Sequence, residues 1–438
     1  MGEMETEDFD VIVVGAGPAG AAAALVLARA GRRVALLERG PFPGSKNMYG
    51  GVVYGRILDT LIPNWWEQVP VQRWVTRRST MLLTGTQSLS VDYRNEAWGA
   101  PPYNGCTTLR PDFDAWLAGV AEDAGAVLIT STTATGLLRG ADGHVNGVRT
   151  DRPDGDLRAR VVIACDGVNS FLAKEAGLYP DRDPANFTLG AKEVLGLPRD
   201  EIDRRFGLRG DEGADIEIVG ATGDVPGGAF VYTNADSIAI GVVLRLPELG
   251  RSGRRPEQFI ADLKAHPSIA PMVEGADLKE YSAHLIPEGG YDAMPSMVSD
   301  GLLVAGDAAA LCLAAGIWLE GVNFAIGSGK AAAETAIEGM DRNDTSAAGL
   351  SGYRTRLESD FVLRDHKKLR RAPHFVLSER VQQHYPKLMC DAVDELFTVH
   401  NPTPKAGAVR TLRAAFKRSD VTVRDVLRDA WTAARTFG

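Results

Sequence analysis

The sequence predicts an α/β protein. A Rossmann-like dinucleotide-binding domain is assembled from separated segments, with an inserted mixed β-sheet domain and a helical C-terminal region. Three observations predict it. A glycine-rich turn follows a buried apolar run near the start of the chain. Two later apolar runs, at 160–167 and 300–307, end in Asp-Gly and Gly-Asp. The stretches 61–104 and 178–284 alternate apolar and polar residues and contain no second glycine-rich phosphate loop. At 438 residues the chain is too long for one simple core. The expected division is 1–60, 105–177 and 285–340 for nucleotide binding, 61–104 and 178–284 for the sheet domain, and 341–438 for the helical region.

The first element explains itself. Val11 to Val14 is a β-branched run, the mark of a strand buried on both faces. Gly15, Gly17 and Gly20 follow at Gly-x-Gly-x-x-Gly spacing. Gly15 allows the tight turn, Gly17 lets backbone approach a pyrophosphate, and Gly20 lets the helix pack on the strand. A helix is expected from Ala19 to Ala30, its N-terminal N–H groups and dipole facing the phosphates, and Pro18 and Ala19 count among the cofactor-binding positions. A second strand, Arg33 to Leu37, ends at Glu38, 18 residues after Gly20 and close to the roughly 20 expected for a ribose-binding carboxylate. Arg39 follows it. An acid here repels a 2′-phosphate, so the ligand is an unphosphorylated adenosine dinucleotide. The element does not choose between FAD and NAD.

Three later segments favour FAD. Arg160-Val-Val-Ile-Ala-Cys leads to Asp166 and Gly167, and Asp300-Gly-Leu-Leu-Val-Ala leads to Gly306 and Asp307. Gly316-Ile-Trp-Leu-Glu-Gly321-Val322-Asn323 is a turn entering a small-residue helix. A carboxylate at the carboxyl end of a parallel strand points into the ligand crevice. Asp307 can accept hydrogen bonds from the polyol linking a flavin ring to its phosphates, and the helix after Gly321 would aim N–H groups at the pyrimidine end of the ring. NAD has no ribityl chain. The bland alternative makes Asp166 and Asp307 simple helix caps.

Lys46, Asn47, Gly50 and Gly51 form a glycine-rich loop after the first βαβ unit that can lie flat on a ring, where Lys46 would favour the anionic reduced form; a surface lysine is the alternative. The segments Asp215-Ile-Glu-Ile-Val and Ser237-Ile-Ala-Ile-Gly-Val-Val-Leu have strand-like alternation and suggest a sheet laid over the flavin, where an acceptor would bind. Trp65, Trp66 and Trp74 are read first as buried structural residues, and second as a membrane-interface patch near a quinone entrance. Beyond residue 341 the chain reads as helical and polar-faced.

Composition removes several function classes. A formal charge of −9 disfavours nucleic acid, although 364–371 and 405–418 are locally basic and suit a solvated face, an acidic partner or an anionic membrane. The four cysteines, Cys106, Cys165, Cys312 and Cys390, are far apart, which argues against an iron–sulfur cluster held by this chain alone. The seven histidines are scattered, no metal-ligand spacing is found, and Ala331 after Gly329-Lys330 excludes a P-loop. The acidic start, where a signal peptide would be basic, leads to an expectation of a cytoplasmic protein. The apolar stretch 301–321 is interrupted by Asp307 and Glu320, so any membrane contact is peripheral, on the inner face of the cell membrane.

Val14-Gly-Ala-Gly-Pro-Ala-Gly20, Cys165-Asp-Gly167 and Gly306-Asp-Ala-Ala309 resemble the fingerprints of the flavoprotein superfamily of para-hydroxybenzoate hydroxylase and geranylgeranyl reductase. The resemblance implies a para-hydroxybenzoate hydroxylase-type FAD domain and places Arg110, which opens a helix, against the FAD; Ala134 is counted among the cofactor-binding positions too. More narrowly, Pro43 to Gly51, Ile286-Pro-Glu-Gly-Gly-Tyr291 and Gly316 to Gly329 are similar to FixC/EtfC-type members of the electron-transfer-flavoprotein:quinone oxidoreductase family. Membership implies electron flow from an electron-transfer flavoprotein to membrane quinone, in a complex that bifurcates electrons from NADH between ferredoxin or flavodoxin and quinone. The tail has only Cys390, so the resemblance implies a separate small ferredoxin-like iron–sulfur subunit. No catalytic side chain is demanded, because quinone reduction can draw protons from water. The alternatives are a prenyl or geranylgeranyl reductase or a hydroxylase acting on a lipid-like substrate, and a flavin-bearing scaffold without turnover.

Overall fold

The structure, a computed structural model, describes residues 9–46, 51–179, 183–316 and 318–438. The chain opens with β1 (Phe9–Val14), α1 (Pro18–Arg29) and β2 (Val34–Leu37). Strands β3 (Gly51–Val53), β4 (Arg73–Leu83), β5 (Ser88–Arg94) and β6 (Cys106–Thr108) precede α2 (Arg110–Asp123). Then come β7 (Val127–Ile129), β8 (Ala134–Arg139), β9 (Val145–Thr150), β10 (Leu157–Ala164) and α3 (Phe171–Glu175). A second strand series follows: β11 (Phe187–Gly196), β12 (Glu212–Val219), β13 (Gly227–Thr233), β14 (Ser237–Arg245), then α4 (Pro256–Ala265) and β15 (Asp277–Pro287). The chain returns through β16 (Val298–Ser299), β17 (Leu302–Val304) and α5 (Val322–Asp341), and ends in shorter helices including α6 (Ala408–Arg418) and α7 (Val423–Phe437).

Eight strands make the first sheet, in the order β16-β17-β10-β1-β2-β7, with β9 and β8 continuing from β10. From β17 to β7 the pairing is parallel. That is the arrangement expected of strands apolar on both faces, and Val11, Ile12 and Val13 are indeed fully buried. Register fixes the site. Val14 is paired with both Leu37 and Ala164, and Ala164 with Val304, so four strands end on one line. Gly15, Glu38, Cys165 and Ala305 are the next residues along.

The second sheet has nine strands, in the order β15-β11-β14-β13-β12-β4-β6-β3, with β5 on the side of β4. Strands β3 and β6, at 51–53 and 106–108, pair within this sheet, and β6 joins β4 through Arg73 opposite Thr107. One of its faces is apolar: Ile216, Ile218, Val231, Ile240 and Val242 pack under Phe259, Ile260 and Leu263 of α4. Helices α1 and α5 cross almost backbone to backbone. A Cβ added at Gly329 would lie 2.0 Å from the Ala19 carbonyl oxygen.

Trp65 is 1% exposed and meets Trp66 and Trp74 edge-on with centroids 6.1 Å apart, while Trp74 stacks on Tyr103. The buried reading holds for Trp65, whose indole N–H donates to Asp59 at 2.8 Å. The C-terminal helices differ from the polar-faced expectation: Phe397, Val409, Leu427 and Trp431 are each more than 60% exposed. No helix among the described residues is long and apolar enough to cross a membrane.

Candidate flavin-binding site

A cavity of about 370 Å³ runs along the aligned strand ends, within the range of a cofactor site. Its first end is built by the β1–α1 turn. Gly15 has φ +99°, and a Cβ there would sit 2.3 Å from the Cys165 carbonyl oxygen, so no side chain is tolerated. At Gly20 an added Cβ would meet the Gly15 carbonyl oxygen at 1.8 Å. Gly17 is different: nothing lies within 4 Å of its Cβ position, and the residue lines the cavity. No side chain caps α1, leaving its first-turn N–H groups for a ligand.

Glu38 lines the cavity at 8% exposure, and its carboxylate accepts hydrogen bonds from the backbone N–H of Gly40 at 2.7 Å and of Ala16 at 3.2 Å. Pro18, Ala19, Arg39, Lys46, Ala134 and Gly167 also line it, and the side chains of Arg39 and Lys46 are exposed. Asp166 lines it too, while its carboxylate accepts from the Ser170 hydroxyl at 2.8 Å and the Leu172 N–H at 3.3 Å. Asp166 therefore steadies the start of α3 as well as bordering the cavity.

Farther along, Asp307, Gly306 and Arg110 meet. Arg110 grips Asp114 with two hydrogen bonds of 2.9 Å. Burial works against the Arg110 charge, but Asp114, Asp307 and Tyr232 outweigh it. Burial also lifts the Asp307 carboxyl above the usual range, opposed by His284 and Arg110. The far end is closed by Gly321 and Val322 at the start of α5, which has no side-chain cap. Asn323 follows; its Nδ2 donates to Glu320, but its Oδ1 is buried without a hydrogen-bond partner. The uncapped starts of α1 and α5, the open position at Gly17 and the buried Asp307 lie along one cavity and match the phosphates, ribityl chain and ring of FAD, so the residues present fit FAD.

Gly20, Gly51, Gly316 and Asn323 lie outside the lining itself. Asn47 and Gly50 lie outside the described residues. The second sheet also carries a buried charged group to which the sequence reading gave no role. Arg78 donates to Glu217 at 2.6 Å and lies 3.4 Å from Asp215, and its guanidinium sits over the Tyr54 ring. Burial lifts the Asp215 carboxyl to about 6, against the pull of Arg78. Burial and the neighbouring Asp215 lift Glu217 to about 8, again against Arg78. The sequence signal was present, two acids two residues apart on a strand, but it also describes an ordinary solvent face.

Comparison with known proteins agrees with FAD as the cofactor. A model of the FAD binding domain matches residues 8–191, and a model of the ETF-QO/FixC family C-terminal domain matches residues 372–438. The chain is 41% identical over 397 residues to the probable electron transfer flavoprotein-quinone oxidoreductase YdiS of Escherichia coli, spanning 90% of this chain and 92% of that one. It is 39% identical over 415 residues to protein FixC of Azorhizobium caulinodans, spanning 94% and 95%. Among solved structures, a geranylgeranyl bacteriochlorophyll reductase-like protein from Thermoplasma acidophilum shares the fold, with a TM-score of 0.72 at 21% identity over 97% of this chain and 99% of that one.

Proposed function

The chain belongs to the ETF-QO/FixC family and is an FAD-dependent electron-transfer oxidoreductase, and from that premise we propose that it passes electrons from an electron-transfer flavoprotein to a membrane quinone. In this reading it is the quinone-reducing subunit of a bifurcating NADH:ferredoxin/flavodoxin:quinone complex, with a separate small ferredoxin-like iron–sulfur subunit beside it. The observation that carries the reading is likeness over nearly the whole chain to a probable electron transfer flavoprotein-quinone oxidoreductase.

The site residues have distinct roles. Gly15, Gly17 and the start of α1 hold the pyrophosphate, and Glu38 holds the adenosine ribose. Asp307 and Arg110 hold the ribityl region, and the start of α5 with Asn323 holds the pyrimidine end. FAD supplies reversible electron storage; the protein fixes the ring, sets the charge around it and keeps bulk water away. What supports a membrane-facing surface is the tail, where Val409 is exposed on the helix that carries the exposed Arg410, Arg413 and Lys417, and Leu427 and Trp431 are exposed on α7.

The test mixes FAD-loaded protein, reduced anaerobically with dithionite, with water-soluble benzoquinone and naphthoquinone in a stopped-flow instrument. Reoxidation of the flavin absorbance with stoichiometric quinol is expected. Failure with both quinones, together with oxygen uptake driven by NAD(P)H and a lipid-like substrate, would overturn the reading in favour of a hydroxylase.

A further inference from the structure

The second sheet turns an unusually charged face inward. Arg78 on β4, Asp215 on β12 and Tyr232 on β13 are in register. Two residues along, Glu217, Phe230, Gly241 and Lys192 form the next row across β12, β13, β14 and β11. Gly241 makes the crossing possible, since a Cβ there would sit 2.5 Å from Phe230 and 2.6 Å from Lys192. Lys192 Nζ consequently reaches the Tyr232 hydroxyl at 3.2 Å. Asp215, Glu217 and Lys192 are only 5%, 9% and 2% exposed.

No member of this row lines the flavin cavity itself, and the row approaches it through its neighbours. Tyr54, under Arg78, directly follows β3, whose Val52 lines the cavity. Arg110 lines the cavity and is near enough to Lys192 and Tyr232 to act on their protonation. Glu320, next to the cavity-lining Gly321, acts on Tyr54 and feels the charge of Arg78. Charge counting then decides the protonation state. Two carboxyls face one guanidinium where water is nearly excluded, so one extra negative charge is expensive and a proton removes it.

We propose that this face is a proton-delivery wall, in which Glu217, held by Arg78 and Asp215, and Lys192, acting through the Tyr232 hydroxyl, donate the two protons that a quinone takes up with two electrons. The inference rests on the quinone reading above. Quinone plus two electrons from the reduced FAD plus two protons gives quinol. The Glu217 O–H bond breaks as one quinol O–H bond forms. Tyr232 gives the second proton and takes one from the Lys192 ammonium. Water then reprotonates Glu217 and Lys192. Lys192 is poised for this chemistry, since burial and Arg110 lower it to about 7 against Glu280, and a donor works best near the operating pH; Tyr232, held protonated by burial and Asp215, gives its proton only as it takes the one from Lys192.

The experiment compares wild type, Glu217→Gln and Asp215→Asn, each FAD-loaded and reduced, with naphthoquinone between pH 6 and 9. The wild-type rate should fall as pH rises through about 7, where Lys192 loses its proton, and fall further through about 8, where Glu217 loses its own, the second fall being the dependence specific to Glu217. Glu217→Gln should lose that dependence and slow at pH 6 by on the order of tenfold or more. The slowing should be confined to quinone, because ferricenium takes an electron and no proton. Asp215→Asn removes the charge that holds Glu217 up, so its midpoint should move to lower pH. Infrared spectra of the wild type at pH 7 should show a protonated carboxylic-acid band that Glu217→Gln lacks. A missing band, an unshifted midpoint in Asp215→Asn, or an unchanged rate and profile in Glu217→Gln each overturns the proposal. A wild type that never reduces quinone, yet shows the band, instead sinks the quinone reading.

Discussion

Glu217 shows how a single residue can hide its environment in the sequence. The alternation Asp215-Ile-Glu-Ile-Val is legible as a strand, and the isoleucines do face the core under α4. The acids read equally well as a wet face. What lies against them is distant in sequence: Arg78, with the Tyr54 ring beneath its guanidinium. No local pattern encodes those neighbours, so the site's titrating groups were invisible before folding. Their burial has a thermodynamic signature. An unfolded glutamate titrates near about 4.3, whereas Glu217 in the fold is held up to about 8. The folded state thus binds this proton more tightly. Its stabilisation is complete below the unfolded value and is lost as pH climbs through the folded one. Glu217→Gln, fixed in a neutral form, should show a smaller drop in melting temperature from pH 6 to pH 8.5 than the wild type. Equal drops in differential scanning calorimetry would show that Glu217 ionises as an exposed acid does.

At the scale of elements, the β1–α1 turn was the most legible part of the chain, because the glycine spacing states its own geometry. The glycines nonetheless have separable jobs. Gly20 serves packing, with the Gly15 carbonyl 1.8 Å from where a Cβ would be, and Gly17 borders open space. Gly20→Ala should therefore destabilise even the apoprotein, by about 2 kcal/mol or more, through a backbone clash. Gly17→Ala should leave apoprotein stability within about 0.5 kcal/mol and weaken FAD binding at least tenfold. Thermal melts of apoprotein and flavin titrations separate the two; equal melting losses would remove the distinction. The start of α5 was expected at Gly321 and does line the cavity, but the unpaired Asn323 oxygen was not legible. Whether an amide finds a partner depends on packing that spacing does not report.

Across the whole molecule, the parallel sheet and the inserted sheet domain could be read from buried runs and alternation. The character of the tail could not. Helices α6 and α7 were expected to turn polar faces outward, but Leu427 and Trp431 are 66% and 61% exposed. A helix with basic and apolar residues on its open side suits a lipid surface. The protein should co-sediment with anionic vesicles at low salt and release as salt screens the basic groups. Replacing Leu427 and Trp431 together with serine should weaken that binding by about tenfold while retaining FAD. Binding that is indifferent to both salt and substitution would place the contact elsewhere.

The near-contact of Gly329 with the Ala19 carbonyl has a consequence for the order of events on the ribosome. The glycine-rich turn emerges long before the helix that clamps it, which is completed only at Asp341, and before the strand beside β10, completed only at Val304. Until then the nascent nucleotide fold lacks both its lid and a sheet neighbour. Firm capture of the cofactor thus waits on segments nearly three hundred residues beyond the turn, and the inserted sheet must organise itself while its host is still unfinished.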